Sequence, residues 1–219
     1  MDEMIRAVTV YAIPLIFAIT LHEAAHAFAA KRYGDATAFV AGRMTLDPFK
    51  HIDPFGTVAM PLLLYFGTQG AFTFGYAKPV PVDFNALRNP RLHSALVAFA
   101  GPAANLVMAF GWLIMWQLLV NHSGRGDFLH EVAVAGVKVN LLMFAFNLIP
   151  ILPLDGGRIL NSALPRKLAY RFSQLERYGF IIVLALVFLR MLDFWIIGLQ
   201  SFALQFLQVL LLPLQFLFG

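Results

Sequence analysis

The 219-residue chain contains no cysteine. That excludes disulfides, thiolate zinc sites and a cysteine nucleophile, and leaves the compartment open. Charge is scarce as well. Asp, Glu, Lys and Arg make up 13% of the residues, against 60% hydrophobic, and the mean hydropathy is +0.74. A soluble domain is nearer one quarter charged. The composition therefore predicts a mostly α-helical, multi-pass integral membrane protein in contact with the lipid bilayer. The length leaves room for a handful of spans and no sizeable soluble domain. The net charge of +4 is not gathered into a basic run interleaved with aromatics, so nucleic acid is not an expected partner. Basic residues beside membrane segments account for it better.

Against this apolar background one polar group stands out, His22-Glu23-Ala24-Ala25-His26. Between Arg6 and Lys31 every other residue is apolar or small. Residues four apart share a helix face, so both histidines reach one metal ion. Glu23 beside them is placed to take a proton from water at the metal. Two imidazoles and a carboxylate in hydrocarbon are costly unless they have a function. The plain alternative is a pair of histidines bonded to neighbouring helices, which the intramembrane position disfavours. The run also resembles a signal peptide, with Arg6 ahead of an apolar stretch. It carries the motif and lacks a small-residue cleavage site, so it is expected to be retained.

The first span is expected over about 4–30. His22 precedes Lys31 by nine residues, roughly 13 Å along a helix, which embeds the site nearer that end. Residues 31–91 are rich in Gly and Pro, and Phe72-Thr73-Phe74-Gly75-Tyr76 reads as a short strand. The stretch from Pro54 to Phe66 is apolar but short and interrupted by Pro61. The expectation is a membrane-associated re-entrant element with β-structure between the first two spans, with a full extra span as the rival. Residues 92–121 hold no Asp, Glu, Lys or Arg and form a clear span. It carries Gly101-Pro102-Ala103-Ala104-Asn105, in which small residues permit close packing and Asn105 is expected to bond a neighbouring helix. A span over about 132–152 follows, then a basic loop at 158–177, then hydrophobic helices within about 178–218. About five transmembrane helices result, in one domain over 1–219 with a catalytic core at about 4–160.

A hydrolytic zinc site needs three protein ligands and an open position. Asp155 is the best candidate for the third, at a broken helix end where Gly156 and Gly157 let the chain turn. Its plain reading is a solvated turn residue, and Asp47 and Asp53 are the reserves. His51, His93, His122 and His130 are expected to be solvated or interfacial.

HEAAH in the first span, GPAAN in a later one and NLIPILPLDGG at the end of the next resemble the site-2 protease family of intramembrane zinc metalloproteases, in the family's own order. The resemblance covers most of the chain. It implies that His22, His26 and Asp155 hold one Zn²⁺ per chain, that Glu23 is the catalytic base, and that Asn147 lies near the active site and handles substrate. PDZ or CBS domains occur in many members, and this chain resembles the compact branch without them.

The expected function is an intramembrane metalloendopeptidase that cuts within or near a transmembrane segment of a membrane-protein substrate. The alternative is a membrane divalent-metal transporter or metal-binding scaffold, for which polar ligands on several spans are expected. If the 158–177 loop is cytoplasmic, twelve basic residues face that side: Lys31, Arg32, Arg43, Lys50, Lys78, Arg88, Arg91, Arg158, Arg166, Lys167, Arg171 and Arg177. This puts the N-terminus outside and turns the active site toward the cytoplasmic side of a bacterial-type cell membrane. Oligomeric state and substrate identity are not readable from the sequence.

Overall fold

The computed structural model describes residues 2–67, 75, 77–122 and 127–218. Among them there is no strand, and regular structure is helical. The expected strand at 72–76 lies outside the described residues, apart from Gly75. The helices are α1 (Asp2–Tyr33), α2 (Thr37–Val40), α3 (Met60–Gly67), α4 (Pro90–His122), α5 (Phe128–Asn147), α6 (Asp155–Ala163), α7 (Arg166–Ser173), α8 (Glu176–Phe188) and α9 (Asp193–Phe218).

Four of these, α1, α4, α5 and α9, are long and apolar enough to cross a membrane. This is a multi-pass helical membrane protein. The 13 residues of α8 reach about 20 Å, short of a hydrocarbon core of about 30 Å. The first of the hydrophobic helices expected within about 178–218 thus ends at Phe188. Arg190 takes a positive φ of 57° there, and Met191 N–H closes back on Leu186 O (3.0 Å), a left-handed cap that stops the helix. Arg190 then lies 3.6 Å from Asp193 at the start of α9.

The core is built on small residues. Ala18, Ala27, Ala30, Ala109, Ala133 and Ala145 have no exposed surface, which lets the α1, α4 and α5 backbones approach closely. Gly136 of α5 serves the same end, since a Cβ there would overlap the Trp112 ring of α4. On the other side of α5, Leu141 and Phe144 join Ala109 and Leu113 of α4 and Ala203, Leu207 and Leu211 of α9 in one cluster. Outward-facing side chains are large and apolar, among them Phe17, Phe194 and Phe202, as a lipid solvent requires.

Between α1 and α4 the chain makes α2, a 3₁₀ turn at Pro48–Lys50, a π turn at Pro54–Ala59 leading into α3, and an extended stretch over 77–83. Asp47 and Asp53 cap the two turns, accepting from Phe49 N and from Phe55 and Gly56 N. Asp35, at 1% exposure, accepts from Asp83 N and ties the extended stretch to the end of α1.

Candidate active site

His22 and His26 sit one turn apart on α1, in its C-terminal half. Directly across from them runs a single stripe of α4, Val97, Gly101 and Asn105, spaced by four residues each. His26 Nδ1 bonds Val97 O (2.7 Å) and His22 Nδ1 bonds Asn105 Oδ1 (2.6 Å). Gly101 lies between, and a Cβ there would overlap both imidazoles. Pro102 has no N–H and its ring disfavours the regular preceding turn. The carbonyl that Pro102 leaves without a helical donor is that of Ala98, and Val97 O, one residue earlier, is the one that accepts His26. The GPAAN motif is thus the floor of the histidine pair.

The tautomers follow from the partners. Val97 O is an acceptor only, so His26 Nδ1 carries the proton. The Asn105 amide nitrogen donates to Ala18 O (3.2 Å) and Asn140 Oδ1 (3.1 Å), which turns its oxygen toward His22. Asn140 is oriented in turn by donating to Gly136 O (2.9 Å). In their neutral form both histidines therefore turn the Nε2 lone pair toward the same point.

Asp155 opens α6 and brings Oδ2 to that point, 3.3 Å from His22 Nε2 and 3.4 Å from His26 Nε2, with the two nitrogens 3.1 Å apart. Its placement depends on the loop over 148–154. Pro150 and Pro153 end α5, and the Leu152–Pro153 peptide is cis. Gly156 and Gly157 then pack directly on the 148–152 backbone, where any Cβ would overlap main-chain atoms. Arg91 of α4 bonds Leu164 O (2.6 Å) beyond the far end of α6, and Arg158 bonds Glu176 of α8 (3.0 Å).

The donor triangle fits a divalent ion. Ligand atoms 2.0–2.1 Å from a tetrahedral zinc stand about 3.3–3.4 Å apart, which matches the two edges to Asp155 and is slightly longer than the 3.1 Å edge between the histidines. Asp155 Oδ2 is buried and accepts no hydrogen bond. Three buried potential ligand atoms facing one another at this spacing suit a bound cation. Among the described residues this is the one His, Cys, Asp or Glu group of three that converges this way. Asp47 and Asp53, the reserve ligands, are occupied as caps.

Glu23 is placed differently. Its Oε2 accepts from Val80 N (2.8 Å) in the extended 77–83 stretch, and Val80 packs with Ala27 and Ala38. Sequence reasoning did not find this contact, and no local signal marks it. Asn147 ends α5 with its amide nitrogen donating to Met143 O (3.0 Å) in its own helix. Asn105 makes the interhelical bonds expected of it, and one of them supports a donor histidine. Of the other histidines, His93 stacks on Tyr33 and His130 accepts from Trp116 (3.0 Å). His51 departs from expectation. It is fully buried, bonded through Nε2 to Thr45 O (2.9 Å), because the 43–51 loop folds over it.

A multi-pass helical membrane protein with two histidines and an aspartate converging inside its bundle defines a narrow class. The profile described as peptidase family M50 matches residues 113–189, the part containing Asp155. YwhC of Bacillus subtilis is 40% identical over 181 residues, covering 80% of this chain and 78% of its own. Rip2 of Mycobacterium tuberculosis is 30% identical over 187 residues, covering 84% and 68%. Both are provisionally named zinc metalloproteases. The zinc metalloprotease MJ0392 of Methanocaldococcus jannaschii is 26% identical over 71% of this chain and 34% of its own length. No solved structure matches. The chain belongs to peptidase family M50, a metalloprotease family.

Proposed function

We propose that this protein is an intramembrane zinc metalloendopeptidase that cuts a peptide bond within or next to a transmembrane segment of a membrane-protein substrate. The observation that carries the reading is the triangle of His22 Nε2, His26 Nε2 and Asp155 Oδ2, with edges of 3.1–3.4 Å, reached from α1 and α6 at the interior end of apolar helices. In this reading those three residues hold one zinc ion per chain. When bound, zinc supplies a Lewis acid and lowers the pKa of a coordinated water toward neutrality.

The chain's own groups supply the rest. Asn105 and Val97 fix both imidazoles in the tautomer that exposes Nε2. Glu23 is the general base, held through one oxygen by the Val80 amide, and it returns the proton to the leaving amine. Asn147 bonds the substrate backbone or the developing oxyanion at the broken end of α5. The π turn and α3 form the re-entrant element between the first two spans, and the active site faces the cytoplasmic side. Residues 1–219 act as one domain.

The test uses purified protein in liposomes with a transmembrane peptide substrate. Wild type cleaves and a chelator stops it. Glu23→Gln retains stoichiometric zinc and does not cleave. Loss of zinc from Glu23→Gln, or chelator-resistant cleavage, overturns the assignment.

A further inference from the structure

Lys138 is the eleventh of the twenty residues of α5. That places it about 15 Å from either end of a span about 30 Å long. Its four-carbon stem is too short to carry the ammonium from there to an interface. Intramembrane ionisable side chains of this kind ordinarily face a partner. Asn140, two residues on, is about 200° away around the helix and points inward, bonding Asn105. Lys138 therefore lies on the outer side of α5, nearer the N-terminal end of that helix than the donor triangle is, and it is exposed.

It does not point into plain hydrocarbon. Lys138 lines a cleft of about 240 Å³ between α5 and α9, together with Gln200 and Ser201 and the apolar flanks Val137, Leu141 and Leu204. Two hydrogen-bonding side chains of α9 thus flank a cation at mid-span. Among the described residues no carboxylate forms an ion pair with it. Glu131 pairs with Arg6, Asp193 with Arg190 and Glu176 with Arg158, Glu23 accepts from Val80 N, Asp155 faces the histidines, and Asp127 sits at the start of α5, about 16 Å along the helix from Lys138. A second copy of this chain therefore offers no spare carboxylate at that depth.

We propose that the α5–α9 face around Lys138 docks a transmembrane helix of a partner membrane protein that carries an Asp or Glu near the bilayer midplane. The carboxylate pairs with Lys138 and the helix packs along the Val137–Leu141 and Leu204 flanks, with Gln200 and Ser201 bonding the remaining carboxylate lone pairs. Because α5 stands between this cleft and the donor triangle, the docked helix is a recruiting or regulatory partner and not the segment being cut. The proposal stands independently of the catalytic reading.

The test measures association in liposomes by energy transfer, using full-length protein and synthetic Leu/Ala transmembrane peptides with a central Asp, Asn or Leu. The Asp peptide is expected to bind at least tenfold more tightly than the Leu peptide. Lys138→Met removes that preference. Lys138→Glu transfers it to a peptide with a central Lys, a rescue that a merely perturbed fold does not produce. Equal affinity for all three peptides overturns the proposal. So does an Asp preference that survives Lys138→Met, Lys138-dependent self-association without peptide, or displacement of the Asp peptide by oleate at equimolar concentration.

Discussion

Asn105 shows how one amide can govern a charged site without touching the reacting atoms. Its oxygen faces His22 only because its nitrogen is committed to Ala18 O and Asn140. Asn105→Leu keeps the volume and removes the acceptor, leaving the His22 Nδ1 proton unpaired. Losing such a support typically costs 10–100-fold in metal affinity. A zinc-chelator competition titration is expected to show a drop of about that size, with helicity unchanged. Gly101 sets a steric condition at the same place. Gly101→Ala puts its Cβ into overlap with both imidazoles, so the rings or the helix must shift. Overpacking of this kind costs about 1–3 kcal/mol. Reduced zinc content and a lower Tm are expected together.

The element that matters most is the 148–157 connection. An aspartate on an ordinary loop would not hold an oxygen within 3.4 Å of two nitrogens on another helix. Here two prolines stop α5, and two glycines seat the first turn of α6 flat against the loop it follows. Gly157→Ala pushes α6 away from the Ile151–Leu152 backbone and carries Asp155 with it. Its expected phenotype is that of Asp155→Ala, loss of tight zinc binding, although the aspartate is intact. Equilibrium dialysis of both variants checks this, and retention of wild-type affinity by Gly157→Ala would show that the turn tolerates displacement. The extended 77–83 stretch has the corresponding role for Glu23. A backbone bond to a charged group is worth about 1.5–3 kcal/mol. Val80→Pro, which deletes the donor, is expected to lower turnover by roughly tenfold or more while zinc stays bound.

At the scale of the molecule the question is which way the bundle faces. The absence of cysteine makes it accessible. Asp127, at the start of α5, and Lys167, in α7, are both exposed. With the basic 158–177 segment cytoplasmic, Asp127→Cys is expected to react with an impermeant maleimide on intact cells. Lys167→Cys is expected to react only after lysis. The reverse pattern would turn the site to the outer side.

Much of this was legible in the linear sequence because the bilayer is a severe solvent. Few charges and long apolar runs leave helices as the main solution, so α1, α4, α5 and the existence of α9 could be read directly. The i, i+4 spacing of His22 and His26 is a property of one helix and needs no tertiary information. The ligand role expected of Asp155 rested on the turn chemistry of Pro, Asp, Gly and Gly. What the sequence could not determine is whatever joins residues distant along the chain. The stripe of Val97, Gly101 and Asn105 acquires its meaning only when α4 lies antiparallel against α1, and a valine amide at position 80 has no sequence signature as the holder of a carboxylate. The same holds for His51, buried by a loop whose closure is a tertiary event. Local periodicity encodes which face of a helix is special. Only packing decides what that face meets.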